Sequence, residues 1–476
     1  MHKKIMAAAG GGDRLTDLPE EILLYILSML PNSRQVVRTS VLSSQWRFLW
    51  KSVSASLDFN SEDYRKPYKK IYILDYAASV NRELHYWRSC EKIKSFRVFP
   101  YSYQDFIAHD VDLWVHFALN IGKVEEFTLK FCYFDSLDFA YKFPEFAYTN
   151  TVLRNLVLGF CRLRPSGNVK WSNLVSLSIG DAGMTEGVME KILSGCPILE
   201  CLELDKVVGI RRLEISSVKL RKLVVTIYET ESADDDQDYC VEIHAPHIRH
   251  LELSGLCYDK IHFQLRNVAS LVTAVLSLNV YFFDLEENLE KECRYLQELL
   301  HHVANVKNLE LGPWCIECLS ILEFKGWHVP PSSWKFLKLN AALEQYDYPG
   351  ICSFLSSSSG LETLVIDWCH PKPRELLSMY TNEDERRRRF ETHSFNCSLP
   401  HLKFFKFINF YGKPSEKKFV HPLIKCLCKN ATALKKSVIA CNFRRRDVFW
   451  NYVVRSLQVC NVPNYSEQKH WFLGTL

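Results

Sequence analysis

The pattern L-x-x-L-x-L, or a near relative of it, returns nine times along this chain: VEEFTL at Val124, LRNLVL at Leu153, LVSLSI at Leu174, LECLEL at Leu199, LRKLVV at Leu220, IRHLEL at Ile248, VKNLEL at Val306, WKFLKL at Trp334 and LETLVI at Leu361. Most neighbours lie roughly 20 to 35 residues apart, a period that belongs to stacked architectures. A longer gap falls around LVTAVL at Leu271. Each copy supplies one short strand whose leucines point inward and a return segment that packs behind it. Neither face is covered until the next copy stacks on it, so the copies fold as one continuous core or not at all.

Two return segments are legible as helices. After LVSLSI, Thr185 is placed to cap a helix with Val188, Ile192 and Leu193 facing inward, and Gly195-Cys196-Pro197 turns the chain into the next strand. Before VKNLEL, Leu289, Cys293, Leu296, Leu299, Leu300 and Val303 step at helical period. The array is a degenerate leucine-rich repeat. Upstream of it, SLDFN at Ser56 to Asn60 and IKSFRVFP ending at Pro100 predict strands. A helix with Ile71, Leu74, Ala78 and Val80 among its apolar positions lies between them, and DLWVHFALNIGKVEEFTLKF predicts a helix that turns at Gly122 into a strand.

The N-terminal stretch from Asp13 to about Trp50 has a different pattern. Asp17 precedes a helix that Pro19 suits in its first turn and that Glu20 and Glu21 support at the positive end of its dipole; Pro31 stops it. Ile22, Leu23, Ile26, Leu27 and Leu30 form one broad stripe, and Leu24, Tyr25 and Met29 carry apolar surface to the other side. Val37 pairs with Val41, and Trp46, Leu49 and Trp50 cluster at helical spacing. Three short helices of this size are not expected to bury both tryptophans and two faces of the first helix, so the module is predicted to dock on something else.

The run LPEEIL, a second Ile-Leu, and then VRTSVLSSQWRFLW resembles the F-box, in particular that of plant proteins joining an F-box to leucine-rich repeats. SGCPILECLEL resembles the same family, and the segment from Ser394 to Cys441 resembles the FBD region at the end of many of its members. The resemblance implies that Leu18, Pro19, Ile22, Leu23, Ile26, Leu27, Val41, Leu42, Trp46, Leu49 and Trp50 sit in or beside the surface that grips the Skp-type adaptor of a cullin ubiquitin ligase. One departure is visible: Ser44-Gln45 precedes the tryptophan where relatives often carry a basic residue. The implied fold class is α+β, a three-helix F-box followed by an α/β leucine-rich-repeat solenoid with an FBD-like C-terminal cap. The corresponding division is 1–12 flexible N-terminus, 13–55 F-box, 56–122 linker and first irregular repeats, 123–369 repeat array, 370–445 FBD-like region and 446–476 C-terminal segment.

Composition narrows the function. A net charge of +4 is too mild to argue for nucleic acid by itself, no apolar run reaches the length of a membrane span, and MHKKIMAAAGGG is too weakly apolar for a secretory signal. The seventeen cysteines are scattered through apolar segments and read as reduced, buried, small hydrophobes of a cytoplasmic or nuclear protein. Cys315 and Cys318 form one C-x-x-C, read as part of a repeat turn, since a structural zinc needs four ligands. The acidic run at 229–238 reads as a solvated insertion, and Arg386 to Arg389, preceded by Glu383, Asp384 and Glu385, as an exposed self-paired loop or a nuclear address. Phosphate-cradling and zinc-protease motifs are absent. The expectation is a non-enzymatic adaptor with no cofactor and no metal, which bridges the Skp-type adaptor, and through it the cullin, to an unknown target on the repeats. The alternatives are a repeat scaffold without ligase activity and a ligand co-receptor, for which Arg211, Arg212, Lys219, Arg221 and Lys222 are the basic candidates.

Overall fold

The computed structural model describes residues 18–30, 33–53, 55–60, 70–88, 93–132, 136–228, 239–258, 261–281, 285–340, 347–368, 380–392, 398–410, 427 and 430–441. Asp17, the acidic run at 229–238, much of the FBD-like segment (411–426, 428 and 429) and the residues after 441 lie outside them. Contacts divide the chain into two compact units, Met1–Leu202 with Val207–Gly209, and Glu203–Lys206 with Ile210–Leu476.

The first unit begins with helices α1 (Glu20–Ser28), α2 (Ser33–Arg38) and α3 (Trp46–Leu49). Its strands Ala55–Asn60, Ile93–Phe99, Glu126–Lys130, Asn155–Gly159 and Ser176–Gly183 pair in chain order, all parallel. Parallel pairing needs a crossover behind the sheet. Helices α4 (Lys70–Trp87), α5 (Ala108–His116) and α6 (Glu186–Ser194) belong to such connections. At the end of α5 the chain continues through a wider turn, Phe117–Ile121, in which the Gly122 N–H donates to the Phe117 carbonyl at 2.7 Å. In α6 the buried positions are Met189 and Ile192, with Val188 and Leu193 only half-buried, so the inward stripe is rotated from the expected one. Thr185 stands at the N-cap without a side-chain cap bond.

In the second unit, Lys222–Tyr228, His250–Tyr258, Thr273–Tyr281, Asn308–Leu311, Phe336–Asn340, Thr363–Asp367, Phe404–Phe410 and Lys436–Cys441 again pair in chain order and parallel. The gap around Leu271 is therefore filled by a full rung. Two different kinds of backing support these strands. Between Arg212 and Arg266 the return segments are themselves strands, Arg212–Glu214, Tyr239–His244 and Ile261–Arg266, which form a second parallel sheet. From residue 285 onward the backing is helical: α7 (Leu285–His302), α8 (Pro313–Phe324), α9 (Tyr348–Ser356) and α10 (Glu383–Thr392). Helices α8 and α9 approach closely at Gly350, where an added Cβ would lie 2.7 Å from both the amide nitrogen and the Cα of Ser320. Cys315 and Cys318 are buried on α8, a helix and not a turn, because the side chains around them need two apolar faces. Cys161, Cys196, Cys293 and Cys352 are also buried thiols, but Cys132 and Cys240 are exposed, which corrects the expectation that the cysteines are uniformly interior.

Two buried tryptophans act as wedges between neighbouring rungs. Trp171 donates from Nε1 to the Ala147 carbonyl at 2.8 Å in the first unit, and Trp334 donates to the Val303 carbonyl at 2.9 Å in the second. Each bond satisfies the one polar atom of a side chain otherwise surrounded by carbon.

Candidate interaction surfaces

The N-terminal module closes its own core. Leu23, Leu27, Val36, Trp46, Leu49 and Val53 are buried against one another, and Leu18, Leu24, Ile26, Leu30 and Trp50 pack on that cluster. Trp46, at 2% exposure, is part of this interior, so the module does bury the side chain that was expected to need a partner. Val36, in place of Val37, and Val53 supply the missing cover; neither stood out in the sequence. Trp50 is half-buried and meets the Trp87 ring of α4 edge-on at 5.1 Å. Four of the residues implied to sit in or beside the partner surface, Leu23, Leu27, Trp46 and Leu49, lie in the interior of the module.

What remains outside is apolar in a way that folding alone does not require. Ile22, Tyr25 and Met29 fall at i, i+3 and i+7 on the face of α1 opposite Leu23 and Leu27, and Ile22 is 46% exposed. Val41 is 84% exposed and Leu42 is 55% exposed, both at the turn after α2, where Thr39 and Val41 close a single tight helical turn. Phe48 also faces outward, with Arg47 5.6 Å and Lys51 5.4 Å from its ring centroid. These cations supply basic charge beside the apolar side chains although Ser44-Gln45 does not. Pro19 is exposed at the N-cap position, where its carbonyl accepts from the Ile22 N–H at 2.9 Å. Tyr25, Met29 and Phe48 were not among the expected site residues; the i, i+3, i+7 spacing with Ile22 was the available signal for the first two.

The repeat units present the alternate positions of their strands outward. In the second unit Lys338 lies 3.0 Å from Glu310 and 3.4 Å from Asp367, and Asn340 donates to Glu310 at 2.6 Å. Three of the five basic candidates for a ligand pocket have partners of their own. Arg212 pairs with Glu214 at 2.6 Å, Lys222 with Glu203 at 3.2 Å, and Arg221 donates to the His247 carbonyl. The Arg386–Arg389 run lies on α10, not a loop. Arg389 reaches Glu323 of α8 at 2.6 Å and lies 5.5 Å from the Phe324 ring, so at least this arginine is structural. Among the described residues no group of three metal-ligating side chains comes together, and no helix is long and apolar enough to cross a membrane.

Parallel rungs in both units, together with an N-terminal helical module that has a finished core and an apolar outer face, define a protein-interaction adaptor. The F-box domain profile matches residues 15–55, and that of the At1g61320/AtMIF1 LRR domain matches residues 87–452. In Arabidopsis thaliana, F-box/LRR-repeat protein At3g03360 is 31% identical over 78% of this chain and 74% of its own length. F-box protein At5g03100 is 31% identical over 68% of this chain and 97% of its own. Putative F-box/LRR-repeat protein At3g18150 is 29% identical over 90% and 86%. The chain belongs to the plant F-box/leucine-rich-repeat family.

Proposed function

We propose that this chain is the substrate-recognition subunit of a Skp-cullin-F-box ubiquitin ligase, acting in the cytoplasm or nucleus. The F-box docks on the Skp-type adaptor and the repeat units hold a target protein for ubiquitination. The observation that carries this reading is the separation of the N-terminal module into a closed core and an exposed apolar face of Ile22, Tyr25, Met29, Val41, Leu42 and Phe48. An apolar face that folding does not need marks an interface, and about 1,600 Å² of total buried area suffices for stable docking. The chemistry then belongs to other subunits, and this chain contributes proximity, which converts an encounter between two proteins into a step within one assembly.

The test is co-expression with a plant Skp-type adaptor. Wild type is expected to purify with it one-to-one. Val41→Asp should reduce the complex by roughly a hundredfold or more, because a carboxylate buried without a partner costs several kcal/mol. The variant's melting temperature should not change, since Val41 is exposed in the free chain. Undiminished binding by Val41→Asp together with Leu42→Asp sinks the assignment of this face.

A further inference from the structure

The residue just before each strand of the second unit stands at one rim, and these residues are linked from rung to rung by backbone hydrogen bonds. Arg249 donates to the Arg221 carbonyl, Val272 to Arg249, Lys307 to Val272, Lys335 to Lys307, Glu362 to Lys335, Lys403 to Glu362 and Lys435 to Lys403, at 2.8 to 2.9 Å. The eight rim positions are therefore Arg221, Arg249, Val272, Lys307, Lys335, Glu362, Lys403 and Lys435: six cations, one carboxylate and one valine. In the first unit the same ladder reads Lys94, Glu125, Arg154, Val175 and Glu200, with the signs mixed.

The basic character of the second rim is not cancelled locally. Glu362 is shared by Lys335 at 3.3 Å and Lys403 at 2.7 Å, and these two ammonium groups hold its carboxyl below the usual range. Of the acids on the strands themselves, Glu310 and Asp367 are engaged by Lys338, and Glu252 lies 3.9 Å from His250. Arg221, Arg249, Lys307, Lys335 and Lys435 are exposed. The rim carries a surplus of five positive charges on a chain whose formal net charge is +4, so the rest of the molecule is close to neutral. Parallel strands stand about 4.8 Å apart, which spreads this surplus over about 34 Å, the length of an extended peptide of about ten residues.

We propose that this rim binds an acidic, extended segment of the target polypeptide. The inference rests on the reading that the repeats hold a target, and it names the chemistry of that target. A row of like charges at fixed spacing matches a segment of opposite sign and gives fast, salt-sensitive encounter.

Full-length protein in complex with the Skp-type adaptor is titrated against fluorescein-labelled polyglutamate of about twenty residues, with anisotropy as readout and a series of salt concentrations. Binding should weaken steeply with salt. The triple variant Arg249→Gln, Lys307→Gln, Lys435→Gln should bind roughly tenfold more weakly, because it removes three exposed cations, while Lys94→Gln with Arg154→Gln on the other unit should leave the affinity unchanged. Equal loss in both variants, or no loss in the triple variant, overturns the proposal. So does tighter, equally rim-dependent binding of a single-stranded DNA of matched charge, which would assign the rim to nucleic acid. Adaptor co-purification and melting temperature are read on the same samples. A rim that binds polyglutamate on a chain that ignores the adaptor refutes the ligase reading alone; a one-to-one complex with an inert rim refutes this inference alone.

Discussion

Trp334→Phe isolates one of the wedges between rungs. Trp334 is 1% exposed, donates to the Val303 carbonyl at 2.9 Å and stacks on Phe354 with ring centroids 4.7 Å apart and an interplanar angle of 15°. The Val303 carbonyl also accepts from the Val306 N–H at 3.2 Å, so losing the indole leaves it with one partner and costs only about 1 kcal/mol. The smaller ring adds about 1 to 2 kcal/mol in lost burial and an incompletely filled gap. The sum is about 2 to 3 kcal/mol. Trp334→Leu should cost about 1 kcal/mol more, because it also removes the stack on Phe354. Urea unfolding followed by far-ultraviolet circular dichroism reads both. With a slope on the order of 3 kcal/mol per molar urea, the midpoint should fall by somewhat less than about 1 M for Trp334→Phe. Because a repeat stack is held by nearest-neighbour interfaces, hydrogen exchange should accelerate most in Asn308–Leu311 and Phe336–Asn340. A midpoint shift below about 0.1 M, or a leucine variant no worse than phenylalanine, refutes the wedge account.

Other substitutions test particular contacts. Arg389→Ala should destabilise by about 1 to 2 kcal/mol in thermal melts, discounted for its partial exposure, because it removes the pair with Glu323 and the contact with Phe324; an unchanged melting temperature would contradict a structural role for this side chain. Iodoacetamide at pH 8 should label Cys132 and Cys240 in the folded chain and spare Cys315, whose thiol burial pushes up to about 12; mass spectrometry showing Cys315 modified without unfolding contradicts this. Gly350→Val should cost more than about 2 kcal/mol by forcing α9 off α8, while Gly187→Ala, with nothing within 4 Å of the added carbon, should gain up to about 1 kcal/mol. A tolerated valine at Gly350 would mean that the two helices part freely.

The strands were readable because each leucine pattern is local: all nine segments, and the LVTAVL segment that broke the spacing, run into strands. Backing elements were less so. Nothing in YCVEIH or IHFQLR says that the strand it forms pairs with another return segment and not with a rung, since both kinds of strand alternate in the same way. At the N-terminal module the sequence marked the apolar residues but not their direction. Leu23 and Ile22 are adjacent and equally greasy, and only the position of Val36, Trp46 and Val53 decides which of the two is covered. Arg389 was hidden for a similar reason, because its partner Glu323 is distant in sequence.

The change of backing within the second unit has a mechanical consequence. Strands stack about 4.8 Å apart, whereas packed helices need about 8 to 10 Å. Where strand lies behind strand, from Arg212 to Arg266, front and back advance at the same pitch and hydrogen bonds tie both layers, so this stretch behaves as a stiff rod. Where α7, α8 and α9 form the back, helices need a wider pitch than the hydrogen-bonded strands in front, and the back layer is tied by side chains, among them the Lys325–Glu290 pair at 3.2 Å, instead of by a backbone ladder. Compliance in this unit is therefore concentrated after residue 285, and a bound polypeptide would meet a fixed half and a yielding half on one continuous row of strands.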